Sequence, residues 1–266
     1  MSQRPLATRS SLAADLTALG LAPGDAVLVH AALRKVGPVM GGAQTILDAL
    51  RDAVGPAGTI VGYTDWDGQD DIEDHPELRT EARPFDPLTS RSVRDTGFFP
   101  EMLRTTPGAR RSGNPGASMA AIGGRADWFT ADQALDYGYG PQSPLGKLVE
   151  AGGKTLMLGA PLDTMTLLHH AEHLAAFTPK RIRHYETPML VEGETVWRRF
   201  EEFDTSDPPD GLADDYFATI VEAFLATGKG RRGTVGAAPC VLVEARQIVP
   251  FAVDWIERAM RPRSAS

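Results

Sequence analysis

The stretch SPLGKLVEAGGKTLMLGAPLDTMTLLHHAEHLAAF, residues 143–177, decides the fold. SPLGKLVEAGG reads as a helix, KTLMLGA as a buried strand and TLLHHAEHLAAF as a second helix. The same alternation extends upstream. SSLAADLTALG is expected to be a helix opened by a serine cap and closed by Gly20, and AVLVHAAL (26–33) a strand that runs into a loop. GGAQTILDALRDAVGPAG places Ile46, Leu47, Leu50 and Val54 at helical spacing, and TIVGYTDW (59–66) is strand-like. A long loop then continues to Phe85-Asp86-Pro87, followed by a helix (GFFPEMLRTT), a turn (ARRSGNPGAS) and a strand (MAAIG). Structureless connections of that length tend to be functional or disordered. Strands alternating with helices predict an α/β core with a largely parallel or mixed sheet. The last third changes character: a hairpin around Glu192-Gly193, a helix (DDYFATIVEAFLATG), strands, and a final helix VDWIERAM.

The 266 residues, 42% of them hydrophobic, suffice for one large packed domain. No stretch approaches the roughly 18 consecutive apolar residues of a membrane helix, and MSQRPLATRSS has no apolar secretory segment, so a cytoplasmic protein with no membrane partner is expected. A single cysteine, Cys240, excludes an internal disulfide framework and leaves a core residue or a lone nucleophile. A net charge of -8 argues against nucleic acid and favours a cationic small molecule. The acids fall in two runs, Asp65 to Asp74 and Glu201 to Asp215.

GKGRRG (228–233) has the form G-x-G-x-x-G, yet a helix runs into it where a dinucleotide site needs a strand before and a helix after, so it is rejected. The cluster in TLLHHAEH carries more. Helical spacing puts Thr166, His169, Glu172 and His173 on one stripe and turns His170 elsewhere. The stripe follows a strand ending in LGAP, and ligands of α/β proteins bind at the carboxyl ends of strands. Three readings stand. One is a polar helix face. Another is an H-x-x-E-H zinc site, whose third ligand would be an acid such as Glu222 or Glu244. The third is a His169–Glu172 dyad in which a neutral imidazole takes a proton and the carboxylate fixes its tautomer.

The chain as a whole resembles the aminoglycoside 3-N-acetyltransferases. HAALRKVGPVMGG, ARRSGNPGAS, the 143–172 stretch and YETPMLVEGETVWRR occur in the order of that family's blocks, over roughly residues 10 to 260. The resemblance implies a mixed central sheet flanked by helices on both faces, with a small β-rich C-terminal part. It implies one domain over 1–266, with residues 1–9 as a flexible tail and about 180–266 as a β-rich, substrate-side portion. It also implies acetyl transfer from acetyl-CoA, with no metal, to the 3-amine of 2-deoxystreptamine, in a monomer or homodimer. The family's T-x-L-H-x-A-E block assigns catalysis to His169 and Glu172, with Thr166 beside them, and displaces the zinc reading. Ala32 and Leu33, through backbone amides, and Lys35 are implied at the cofactor, with Arg111, Ser112 and Asn114 on its second side. Asp67 and Asp70, and Glu202 and Asp204, are the implied contacts to a polyamine drug. Asn114 stands where the family usually has histidine, so any acid-base role there is lost. A different amine acceptor, a non-catalytic relative and a covalent route through Cys240 remain as alternatives.

Overall fold

Ala26–Ala31 (β1) runs parallel to both of its neighbours, Thr59–Tyr63 (β2) and Lys154–Leu158 (β5), at the middle of the main sheet of this computed structural model, which describes residues 6–68, 72 and 74–261. Outward from that parallel core every pairing is antiparallel. Met119–Gly123 (β4) and then Arg110–Arg111 (β3) extend the sheet past β2, while Ala238–Glu244 (β9) and then Arg231–Val235 (β8) extend it past β5. Among the described residues the sheet therefore has seven strands, ordered β3-β4-β2-β1-β5-β9-β8, and is mixed as expected.

Successive strand residues point to opposite faces, and each face has its own core. Val27, Val29, Ile60, Leu156 and Leu158 pack with three helices: Arg9–Leu19 (α1), Ala43–Val54 (α2) and Phe98–Thr105 (α3). Ala26, Leu28, Val61 and Met157 pack on the other face with Ala126–Thr130 (α4), Pro144–Glu150 (α5), Leu167–Leu174 (α6), Tyr216–Ala226 (α7) and Ala245–Ala259 (α8). The helical stripe read in α2 is buried as its spacing requires, and Leu50→Ala there would cost about 2–5 kcal/mol.

The β-rich C-terminal part divides in two. Ile182–Val191 (β6) and Glu194–Phe203 (β7) form a separate two-stranded sheet, whereas β8 and β9 belong to the main one. The hairpin turns at Glu192 and Gly193 with φ of 51° and 86°, the pair of positive values a two-residue primed turn needs. Beneath the hairpin lies a small third core of Trp66, Phe85, Met189 and Phe200. Through it the long loop is seated: Phe85 bridges to Met189, and Arg79 stacks 3.8 Å above the Trp197 ring while pairing with Glu186.

Several expected boundaries move. The cap of α1 is Thr8, in a reciprocal capping box with Ser11. The end of the expected 1–9 tail is engaged, since Ala7 bridges Val39 and Arg9 pairs with Asp52. The last helix starts two turns before VDWIERAM and carries Pro250 inside it. Gly228, at φ 77°, follows the end of α7 and precedes β8, which agrees with rejecting the dinucleotide fingerprint.

Candidate active site

The three parallel strands all end on one edge, and a cavity of about 400 Å³ opens there. His30 and Ala32 from the end of β1, Tyr63 from β2, Ala160 and Pro161 beyond β5, and Thr166 line it. This is the crevice outside the carboxyl ends of strands where α/β proteins hold ligands. A second cavity, about 240 Å³, lies on the hairpin side, lined by Asp65, Tyr139, Arg183, Tyr185, Glu202 and Ser206 among others. His169 and Tyr63 line both cavities.

His169 is held in that position by α6. Its Nδ1 lies 2.6 Å from Glu172 Oε2, one helical turn on. A carboxylate accepts, so Nδ1–H donates and Nε2 carries the lone pair, a tautomer assigned from the hydrogen bond. Glu172 is only 1% exposed, and its other oxygen accepts the hydroxyl of Tyr216 from α7. Burial, together with Glu172 itself, raises the Tyr216 phenol above its ordinary value, so it stays a donor. Lys180 Nζ donates to the carbonyls of Glu172 and His173 at 2.9 and 2.8 Å, closing the C-terminal end of the helix. The imidazole is sandwiched, with ring centroids 5.1 Å from Tyr139 and 4.8 Å from Phe217.

The other two histidines of the cluster are structural. His170 Nδ1 donates to the Tyr139 carbonyl at 2.8 Å, tying α6 to the loop that carries Tyr139. His173 Nδ1 meets the His169 carbonyl at 2.8 Å and its Nε2 meets Glu202 Oε1 at 2.9 Å. His169 and His173 thus engage different carboxylates. Among the described residues no group of three His, Cys, Asp or Glu side chains could hold a metal ion.

The remaining expected residues scatter. Thr166 caps α6 without a side-chain capping bond and lines the first cavity. Ala32 lines it too, but its amide donates to the Leu158 carbonyl at 2.9 Å and is not available to a cofactor. Leu33 and Lys35 sit in the 3-10 turn that follows, Lys35 exposed with its stem against Gly159. The turn after β3 faces inward. Arg111 donates to Ser118 Oγ and to the carbonyls of Ser90 and Thr64, while Ser112 Oγ accepts the Met119 amide. Asn114 donates to the carbonyls of Ala134 and Leu135 and accepts the Gly116 amide. Ser112 and Asn114 have no exposed surface, and their side chains staple the turn internally.

Of the expected acids, Glu202 lines the second cavity, held by His173 and by the amides of Gly138 and Phe203. Asp204 is beside it but turned to Ser206; burial opposes its ionisation, and the Ser206 hydrogen bonds with Arg181 and Arg183 outweigh that, so its carboxyl is held below the usual range. Asp67 lines a separate hollow with Trp66, His75 and Leu78. Asp70 lies outside the described residues.

The pattern missed Tyr63, Asp65, Tyr139, Tyr216 and His30. Tyr63 donates to Asp65 Oδ2 at 2.9 Å, and its hydroxyl is 2.6 Å from that of Tyr139. Burial and the Asp65 charge push both phenols well above their ordinary value. Three of these could have been found, because His30, Tyr63 and Asp65 sit at the ends of the strands AVLVHAAL and TIVGYTDW. Cys240 is buried on β9, where burial pushes its thiol up to about 11, which suits a core residue better than a nucleophile.

Comparison with known proteins follows the same lines. Residues 28–257 match the model of the family described as aminoglycoside 3-N-acetyltransferase. The chain is 47% identical to aminoglycoside N(3)-acetyltransferase VII of Streptomyces paromomycinus, over 95% of this chain and 92% of that one. It is 46% identical to aminoglycoside N(3)-acetyltransferase III of Pseudomonas aeruginosa, over 94% and 93%. Among solved structures it superposes on AAC-IIIb binary with CoASH at a TM-score of 0.93, 58% identical over 98% of this chain and all of that one. Sisomicin-bound AAC-VIa gives a TM-score of 0.91 at 35% identity, over 97% of this chain and 100% of that one.

Proposed function

This chain belongs to the aminoglycoside 3-N-acetyltransferase family and is an acyltransferase of that class, and from that premise we propose direct acetyl transfer from acetyl-CoA to the 3-amine of a 2-deoxystreptamine aminoglycoside, with His169 as general base. The observation that carries this reading is the position of His169 in both cavities, its Nδ1 committed to a buried carboxylate. The first cavity would receive the acyl donor. Its apolar lining of Ala31, Ala32, Ala160 and Pro161 suits a pantetheine arm, with Leu33 and Lys35 in the 3-10 turn that follows Ala32 in the chain. The second would receive the amine, whose ammonium groups suit Asp65 and Glu202, with Asp67 and Asp204 outside its wall. A CoASH complex of a 58% identical relative and a sisomicin complex of a 35% identical one support the choice of these two ligand classes.

His169 Nε2 takes a proton from the neutral amine as the amine nitrogen bonds to the acetyl carbon, and the carbon–sulfur bond breaks. The proton then passes to the departing CoA thiolate, leaving amide and thiol. Glu172, fixed by Tyr216, holds the tautomer and stabilises the imidazolium, and Thr166 places its hydroxyl beside the reacting group. Orientation and general base action supply the rate, the latter about 10²–10⁴-fold. The enzyme would act as a single domain, a monomer or homodimer, in the cytoplasm, and its biological effect would be aminoglycoside resistance.

A thiol-release assay with acetyl-CoA and kanamycin or gentamicin tests the reading. Turnover by wild type and its loss in His169→Ala are expected; wild-type turnover in the variant refutes the base assignment. A panel of other amines in the same assay checks the acceptor: faster turnover of a simple amine than of any aminoglycoside would replace the substrate class.

A further inference from the structure

His30 is the penultimate residue of β1, shortly before the chain turns into the 3-10 segment, and it lines the first cavity together with Thr166 and His169. Its Nε2 is shielded from solvent and has no hydrogen-bond partner. A buried imidazole nitrogen without a partner is destabilising, and such groups in native proteins call for an explanation. The Ala32 amide at the same cavity is spent on the Leu158 carbonyl and leaves no donor there for an acyl oxygen. A thioester carbonyl attacked by an amine gathers negative charge on oxygen, and that charge needs a donor in place beforehand.

We propose that His30 is the electrophilic partner of the reaction: its neutral imidazole donates an N–H to the thioester carbonyl oxygen and stabilises the charge that develops there. This rests on the acyl-transfer reading above. His30 transfers no proton. The nitrogen–carbon bond forms, the carbonyl electron pair moves to the oxygen held by His30 and returns as the carbon–sulfur bond breaks, and the proton travels by His169. The environment suits this division. Burial, with a smaller contribution from His169, pushes the His30 imidazole down to about 4, so it remains neutral where the enzyme would work and does not compete as a base. A neutral histidine polarising a carbonyl is an established device when a site depresses its basicity.

The test begins with wild type and His169→Ala in the thiol-release assay. Silence of the wild type toward every amine removes the acyl-transfer reading and the proposal with it; an active wild type and an inactive His169→Ala leave the His30 variants to decide. His30→Ala is expected to lower kcat about 10²–10³-fold while KM for kanamycin and calorimetric affinity for CoASH, which has no carbonyl to hold, stay within about threefold. His30→Gln, which keeps an N–H at similar reach, should recover at least about tenfold of the loss. The acid limb of the pH profile should not move, because the base is unchanged. A His30→Ala enzyme within about threefold of wild-type kcat overturns the proposal. Equal losses in the Ala and Gln variants, together with weakened CoASH binding, overturn it too, since they mark a packing role. If the Ala variant does not fold, Gln against Asn decides: Gln places its N–H near the Nε2 position and Asn near Nδ1. Activity in Gln alone supports the proposal, and equal activity overturns it.

Discussion

Helix α6 carries two histidines one turn apart, each paired with a glutamate, His169 with Glu172 of the same helix and His173 with Glu202 of β7. His169 is one-quarter exposed at the side chain and commits one nitrogen to Glu172, leaving the other for the cavities. His173, 5% exposed, has oxygen acceptors on both nitrogens, its own helix on one side and β7 on the other. The same residue types at neighbouring positions thus become, on the proposed reading, a base and a brace. What separates them is whether a second nitrogen remains unspent next to open space, a property of the fold that sequence spacing does not contain.

The largest effect expected is for His169→Ala, a fall in kcat of about 10³-fold with an unchanged melting temperature. Glu172→Gln, which keeps shape but loses the charge that stabilises imidazolium, should cost about 10² in kcat. Tyr216→Phe frees one oxygen of that carboxylate and should cost about tenfold or less, read in the same assay. The brace should answer differently. His173→Ala leaves Glu202 short of a partner and is expected to remove about 1–3 kcal/mol of stability by urea titration while kcat stays within about fivefold. A catalytic loss in His173→Ala equal to that in His169→Ala would break the comparison. Asn114→Ala should likewise lower stability by about 1–3 kcal/mol, because two carbonyls and one amide lose their partner, with little change in kcat.

His30 sharpens the contrast through pH. An ordinary histidine titrates near 6.5 and native His30 near 4, so the unfolded chain binds a proton that the native state refuses. Its contribution to stability is complete above about 6.5 and is lost as pH falls toward 4. The melting temperature of wild type should therefore drop across that window more steeply than that of His30→Gln.

Much of the fold was legible, for identifiable reasons. KTLMLGA and AVLVHAAL are apolar runs too short for helices, and the Glu192-Gly193 turn chemistry matches the positive φ values observed. α8 was half missed because Pro250 interrupts its helical reading, and the cap of α1 falls on Thr8 where Ser10 and Ser11 also offer a hydroxyl. At the site, the pairing of His169 with Glu172 was visible because two residues three positions apart on one helix share a face. Tyr216 lies 44 residues from Glu172, and no local pattern announces that contact. Asn114 was expected at a ligand and instead staples three backbone groups, since a buried amide is satisfied equally well by either.

The small core of Trp66, Phe85, Met189 and Phe200 is separate from the two cores that hold the sheet. It supports the hairpin that supplies Arg183, Tyr185, Glu202 and Phe203 to the second cavity, while His169 and the strand ends rest on the larger cores. Selection can therefore rework one wall without reworking the other. On the proposed division of the cavities, a lineage exposed to a new amine could exchange hairpin residues and reseat the loop beneath them while the groups around His169 stay as they are, a modular arrangement.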